Sequence, residues 1–321
     1  MKNKIIIIAG DPNSINSEII YKSWKKINTK LKKNIYFIGN FKLLKDQFRK
    51  LNYKIKISKV NGIEENNKSK NLKIININLK FKNPFKVPFK SSSNFVLKSL
   101  SLGHKLALKK NVKGIINCPI NKSLLKKHKI GVTEYLAKKC KVKNNSEAML
   151  IWNKDLSVCP ITTHIDINEV SKKLNRLAIT NKVKTIHNWY LSNLKKKPKI
   201  AVMGLNPHNA ELRKNSEEIK IIKPSISKLK VGKIKIDGPH VPDTFFIKDF
   251  KKYDVIIGMY HDQVLTIFKS IYKFDAINIT LGLKYLRVSP DHGTATNLIS
   301  KKKANSLSLT RCIKFIDRFG K

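Results

Sequence analysis

The chain has 321 residues, 41% of them hydrophobic and 8% aromatic, and carries 67 Lys and Arg against 21 Asp and Glu, a formal net charge of +46. That length supports a large core divided between two lobes, and no segment reaches the roughly 20 apolar residues of a membrane span. The basic excess favours polyanions in general, but it is spread along the chain as in Lys25-Lys26, Lys126-Lys127, Lys195-Lys196-Lys197 and Lys301-Lys302-Lys303, without the zinc finger, helix-turn-helix or aromatic stripe of a specific nucleic-acid reader.

Residues 5–9 read as a first buried strand, too short for a secretory leader and closed by the turn Gly10-Asp11-Pro12-Asn13. Ser14 or Ser17 then caps a helix to about Ile27, with Glu18 near its first turn. Residues 35–38 form a second strand, 61–71 a polar loop, 74–79 a further strand, and 82–89, with Pro84 and Pro88, an irregular stretch. The spacing of Val96, Leu97, Leu100, Leu106 and Leu108 predicts a helix over 93–110. A strand at 114–118 leads into Pro119-Ile120-Asn121-Lys122 and a short helix over 122–128. Further on come a strand at 156–161, a helix from Glu169 to Trp189-Tyr190, strands at 200–205, 255–259 and 276–279, and a last helix after Asp291-His292-Gly293-Thr294. This alternation implies an α/β fold, a parallel sheet with helices on both faces. Cys118, Cys140, Cys159 and Cys312 show no paired spacing, which suits a reduced cytoplasm.

Three of the eight histidines stand just past a predicted strand: His164 in Thr162-Thr163-His164, His208 in Asn206-Pro207-His208, and His261 in Tyr260-His261-Asp262-Gln263. Ligands of open α/β sheets gather outside the carboxyl ends of the strands, where three imidazoles can share one divalent metal and leave a position for substrate. Separations of 44 residues (164 to 208) and 53 (208 to 261) exclude a zinc finger and suit ligands drawn from separate βα units. His104, His128 and His187 read as helix-surface residues among lysines; His240 and His292 stay open. Lys269, Asn278 and Arg287 follow the third histidine, and Arg287 offers the fork that matches phosphate or carboxylate. The turn with Asp291, Gly293 and Thr294, opening a helix, presents N–H groups to a cofactor pyrophosphate. No GxGxxG fingerprint is present.

The stretches Thr162-Thr163-His164-Ile165, Gly204-Leu205-Asn206-Pro207-His208, Met259-Tyr260-His261-Asp262-Gln263, Asn278-Ile279-Thr280-Leu281-Gly282-Leu283 and Asp291-His292-Gly293-Thr294-Ala295 resemble the signatures of the 4-hydroxythreonine-4-phosphate dehydrogenase family of pyridoxal phosphate (vitamin B6) biosynthesis. Weaker matches at Gly10-Asp11-Pro12, Pro119-Ile120-Asn121-Lys122, Thr133-Glu134-Tyr135-Leu136-Ala137 and Gly238-Pro239 with Asp243-Thr244 extend the resemblance over nearly the whole chain. It implies an isocitrate/isopropylmalate-dehydrogenase-like fold of two α/β/α lobes on largely parallel sheets, with residues 1–130 plus 289–321 as a cofactor-side lobe, 131–288 as a metal and dimer-side lobe, and an active-site cleft between them at a homodimer interface. It implies His164, His208 and His261 as ligands of Zn, Mg or Co, and Thr133, Lys269, Asn278 and Arg287 as substrate-binding groups. NAD, or NADP, is the implied cofactor, with Asp291, Gly293 and Thr294 on its side. Asp243 and Asp262 are candidates for proton handling or for orienting a ligand.

Three departures stand out. The family's His before Thr133 is Val132 here; its Gly-rich first loop is Ser14-Ile15-Asn16-Ser17-Glu18; and Asn209-Ala210-Glu211-Leu212-Arg213 replaces a glycine-rich loop, so both loops are expected to trace differently. Losing one charge-assisted contact at position 132 corresponds to about 1.5–3 kcal/mol. Three functions follow as alternatives: the B6-pathway dehydrogenase, a sister dehydrogenase for a threonate- or erythronate-type phosphate, and a paralogue that binds ligand without turnover.

Overall fold

The structure, a computed structural model, describes residues 3–65, 69–128 (126–128 by backbone only), 131–142 and 146–320. Its strands are β1 (Lys4–Ile8), β2 (Ile35–Gly39), β3 (Ile57–Val60), β4 (Leu72–Asn76), β5 (Val112–Asn117), β6 (Ala148–Trp152), β7 (Ser157–Pro160), β8 (Ile200–Met203), β9 (Ile236–His240), β10 (Val255–Gly258), β11 (Ile277–Leu281) and β12 (Arg287–Pro290). The chain divides into two compact units, residues 1–140 with 283–321, and residues 141–282. Residues 131–140 and 283–288, expected in the second lobe, therefore belong to the first unit.

In the first unit the strands run β3-β4-β2-β1-β5-β12, each neighbouring pair parallel. Four successive isoleucines make β1 apolar on both sides, as a central parallel strand requires. Ile6 and Ile8 pack in one cluster with Tyr36, Ile38, Ile115 and with Phe95, Val96 and Leu100 of helix Phe89–Ala107. The alternate set of positions faces the opposite way. There Phe37 meets Trp24 of helix Asn16–Lys26 edge-on at 5.6 Å, and Gly114 lies against Ile316 of helix Leu307–Phe319. Helices thus cover both faces, and each isoleucine so enclosed contributes about 1.5–3 kcal/mol relative to exposure.

The second unit runs β11-β6-β7-β10-β8-β9, parallel except that β6 is antiparallel to both β11 and β7. The reason is chain length: residues 153–156 alone connect β6 to β7, too few for a parallel crossover. Val158, Ala201, Met203 and Ile256 pack with Val264, Leu265 and Phe268 of helix His261–Tyr272. On the other face Ser157 Oγ lies 2.9 Å from the hydroxyl of Tyr190, which follows helix Arg176–Trp189.

Several expectations need correction. The helix expected over 169–190 is broken: Ile167–Glu169 and Val170–Lys173 are single turns, Leu174 is extended, and the Asn175 side chain restarts the helix by accepting the Ala178 N–H at 2.8 Å. The helix expected straight after Thr294 begins only at Leu307; before it lies one short turn, Thr296–Leu298, preceded by left-handed Ala295 at φ 44°. Residues 122–128 form a 3₁₀ stretch. Of the 61–71 loop, 66–68 lie outside the described residues, as does the side chain of His128. His104 is no solvated surface residue, since its Nδ1 lies 3.0 Å from the Tyr285 hydroxyl. His187 is half-buried, with Nδ1 enclosed. All four cysteines are buried and free, and burial pushes the Cys159 thiol up to about 11. Among the described residues no helix is long and apolar enough to cross a membrane.

Among the described residues one lysine is fully enclosed. Lys73 on β4 is 0% exposed; its Nζ donates to the Lys33 carbonyl at 2.6 Å and the Lys32 carbonyl at 3.3 Å, and lies 4.7 Å above the Tyr36 ring. Burial pulls its ammonium from 10.5 down to about 8, helped by repulsion from Lys4. Between those values the unfolded chain binds the extra proton, so this residue makes stability rise with pH from about 8 to 10.5. Urea unfolding across that window should show a slope of up to about 1.4 kcal/mol per pH unit, one proton's worth, that Lys73→Met abolishes; an equal slope in the variant would refute the assignment.

Candidate active site

The three histidine-bearing loops leave three strands that lie side by side, β7-β10-β8. His164 follows β7, His261 follows β10 and His208 follows β8, all at carboxyl ends. The chain interleaves them: the strand that comes last in sequence lies in the middle. The His164 and His261 rings approach to 5.6 Å between centroids. No grouping of three or more His, Cys, Asp or Glu side chains around one point occurs among the described residues, and His208 is not brought into that ring pair. His261 Nδ1 lies 2.7 Å from Asp262 Oδ1. With Nδ1–H donating there, Nε2 keeps the bare lone pair that a metal requires. Two adjacent imidazoles, one so oriented, are a donor set that fits a divalent cation.

Backbone detail shapes the His208 loop. Residues 208–212 all take left-handed φ of 49–56°, without one glycine among them. Each such residue costs roughly 1–2 kcal/mol, and the loop holds the conformation through compensating bonds: Asn209 Nδ2 donates to the Pro239 carbonyl at 3.0 Å, and Arg213 N–H to the Ala210 carbonyl. Upstream, the buried Glu218 carboxylate accepts the Leu205 and Asn206 N–H groups, both at 2.8 Å, and the Asn206 side chain. Burial alone would raise that carboxyl; the bonds from Asn206 and Leu205 outweigh it and hold it below its usual value. Gly204 is required by close approach, because a Cβ there would stand 1.9 Å from Asn209 Oδ1. Gly204→Ala should therefore cost about 1–3 kcal/mol through overpacking, read as a drop in thermal midpoint, and should displace the His208 turn; an unshifted midpoint would refute the clash.

Elsewhere in this unit, Asp243 and Lys269 are exposed. The Asp243 carboxylate accepts its neighbour's Thr244 N–H. Lys269 lies two turns beyond His261 on the same helix. Asn278 sits on β11 opposite Ile151, and its Oδ1 is buried without a hydrogen-bond partner among the described residues. An orphaned buried acceptor is what a bound ligand would satisfy.

In the first unit Arg287 opens β12 and is 3% exposed. Its Nε donates to Asn117 Oδ1 at 2.7 Å, and Nη1 lies 3.5 Å from Thr133 Oγ1. Burial lowers its guanidinium to about 10, which leaves it charged at neutral pH. Val132, beside Thr133, packs half-buried against the core. The 291–294 turn is tied down by Ser308 Oγ, which accepts the Asp291 N–H at 2.9 Å, and by Thr294, whose carbonyl accepts the Ile15 N–H. No helix starts at this turn, so the anion-binding reason for assigning Asp291, Gly293 and Thr294 to a cofactor is lost. Sequence reasoning missed Asn117, Glu218 and Gln263. A polar residue ending an apolar strand, and an adjacent acidic pair in a chain short of acids, were the available signals.

Comparison with known proteins adds the following. The profile described as "Pyridoxal phosphate biosynthetic protein PdxA" matches residues 30–316. The chain is 36% identical over 321 residues to 4-hydroxythreonine-4-phosphate dehydrogenase of Aquifex aeolicus (strain VF5), covering 99% of this chain and 98% of that protein. It is similar to the crystal structure of 4-hydroxythreonine-4-phosphate dehydrogenase from Klebsiella pneumoniae, with a TM-score of 0.83 at 27% identity over 99% of both chains. Isocitrate dehydrogenase from Methylococcus capsulatus shares the fold, with a TM-score of 0.50 at 11% identity over 98% of this chain and 85% of that one.

Proposed function

The chain belongs to the pyridoxal phosphate biosynthetic protein PdxA family, and on that premise we propose that it oxidises 4-phosphohydroxy-L-threonine with NAD and a divalent metal. The product, 2-amino-3-oxo-4-phosphooxybutanoate, is a β-keto acid that loses CO₂ to give 3-amino-2-oxopropyl phosphate. The observation that carries this reading is the placement of His164, His261 and His208 after three adjacent strand ends, with two of the rings 5.6 Å apart.

A divalent cation supplies positive charge where the substrate's secondary hydroxyl becomes anionic. NAD supplies the hydride acceptor. The protein's own residues bind and orient. His164 and His261 would hold the cation, with His208 at the adjacent strand end as the third proposed ligand, and Asp262 would fix the His261 tautomer. Arg287, charged and aimed by Asn117, would take a phosphate or carboxylate beside Thr133; in the second unit Lys269 and Asn278 Oδ1 are proposed substrate-binding groups by their match to the family's motifs. Asp243 remains a candidate proton carrier by its exposure. Ile165 and Ile167, exposed beside His164, support a homodimer in which a second copy covers them.

Val132 favours a second reading. An apolar side chain at that place removes a donor from the substrate site, which would suit a threonate- or erythronate-type phosphate. Purified protein should produce NADH from 4-phosphohydroxy-L-threonine once Mg²⁺, Mn²⁺, Co²⁺ or Zn²⁺ is added. Turnover of threonate or erythronate phosphates alone would transfer the assignment to the sister dehydrogenase. No turnover with any of these substrates and metals would overturn both and leave a binding paralogue.

A further inference from the structure

A chain of hydrogen bonds crosses the three histidine-bearing strand ends. Its centre is Gln263, two residues past His261 and 9% exposed. Gln263 Oε1 accepts the Met259 N–H at 2.7 Å, and Nε2 donates to the Gly204 carbonyl at 2.7 Å. The Met259 carbonyl in turn accepts the Thr162 N–H at 3.1 Å and the Thr162 hydroxyl at 2.7 Å. Thr162 precedes His164 by two residues, and Gly204 precedes His208 by four.

These bonds lie beyond the sheet. The β10–β8 ladder has its last pair at Ile257 and Val202, and past that point the Gln263 side-chain amide ties the two strand ends. A primary amide donates and accepts on a single planar group, which is what bridging an N–H to a carbonyl demands. Gly258 leaves the room, since a Cβ there would stand 3.1 Å from Gln263 Oε1 and 2.6 Å from Val264.

We propose that Gln263 is a positioning residue for the three histidine-bearing loops: it ties Gly204, at the start of the His208 loop, to the turn before His261 and, through Met259, to Thr162 before His164. This rests on the metal reading above. Two variants separate its bonds. Gln263→Met keeps the length and removes both; Gln263→Glu keeps an acceptor for the Met259 N–H and removes the donor to Gly204. Each is titrated with Zn²⁺ and Co²⁺ by calorimetry, with the Co²⁺ visible spectrum and amide exchange recorded alongside.

Gln263→Met should weaken metal binding about 10-fold or more, alter the Co²⁺ spectrum, and speed exchange at Met259 and across 204–209. Gln263→Glu should leave Met259 protected while 204–209 exchanges faster. Gln47→Met serves as the comparator, because Gln47 is also buried and donates to the Pro12 and Pro84 carbonyls in the other unit. It should lower the thermal midpoint without changing metal affinity. A Gln263→Met protein with the parent's affinity and spectrum overturns the inference alone. Parent protein that binds no metal, or binds it undiminished after His261→Ala, overturns the metal reading and this inference with it.

Discussion

A His261→Ala variant should lose NADH production from 4-phosphohydroxy-L-threonine by about 10³-fold or more while keeping its fold. A bound cation contributes several kcal/mol of charge stabilisation, and about 4 kcal/mol amounts to nearly three powers of ten in rate. The fold should survive because little rests on this ring. His261 is the first residue of its helix, and the Asp262 carboxylate left behind is 79% exposed, where water replaces the lost bond. Substitutions of that kind usually change stability by no more than about 0.5 kcal/mol. Asp262→Ala should do less, roughly 10- to 100-fold, since it alters only how the imidazole is held. Steady-state kinetics with excess metal, paired with thermal melts, check the order. A His261→Ala enzyme that keeps the parent's rate would end the metal-assisted mechanism, whatever its stability.

The second large effect is expected at Arg287. Arg287→Met removes the buried cation beside Thr133 and leaves Asn117 Oδ1 without its 2.7 Å donor. Truncating one partner of a buried, hydrogen-bonded charge pair costs about 2–5 kcal/mol, so KM for the phosphorylated substrate should rise roughly 30-fold or more. Arg287→Lys should recover little, because a point charge cannot serve Asn117 and an anion through the same planar fork. Asn117→Ala leaves the charge and loses its aim, and should fall between the two. KM for substrate, read beside KM for NAD, distinguishes a substrate contact from a general loss of structure. An unchanged substrate KM in Arg287→Met would remove this residue from the site.

Legibility differed by the range of the interaction. The strands at 114–118 and 255–259 could be placed to within a residue or two because four or five consecutive apolar side chains are a local property. The break at Leu174-Asn175 escaped because the apolar spacing continues through it, while Asn175 competes as a cap. The supposed helix after Thr294 failed for the opposite reason: a turn-like sequence was present, but left-handed Ala295, Ser300 and Lys302 prevent propagation until Leu307. His104 looked solvated among lysines, yet its partner Tyr285 lies 181 residues away in sequence. Nothing local announces such a contact.

By itself the sequence determined the fold class and the position of each histidine after a strand, for both follow from residue periodicity and from where apolar runs stop. Only the tertiary structure decided that β10 lies between β7 and β8, and that Gln263, Thr162 and Glu218 tie the ends together. Strand order is set by which distant segments pair and by how short connections reverse direction, as at residues 153–156. Those energies belong to pairs of segments far apart along the chain, and no single window of residues contains them.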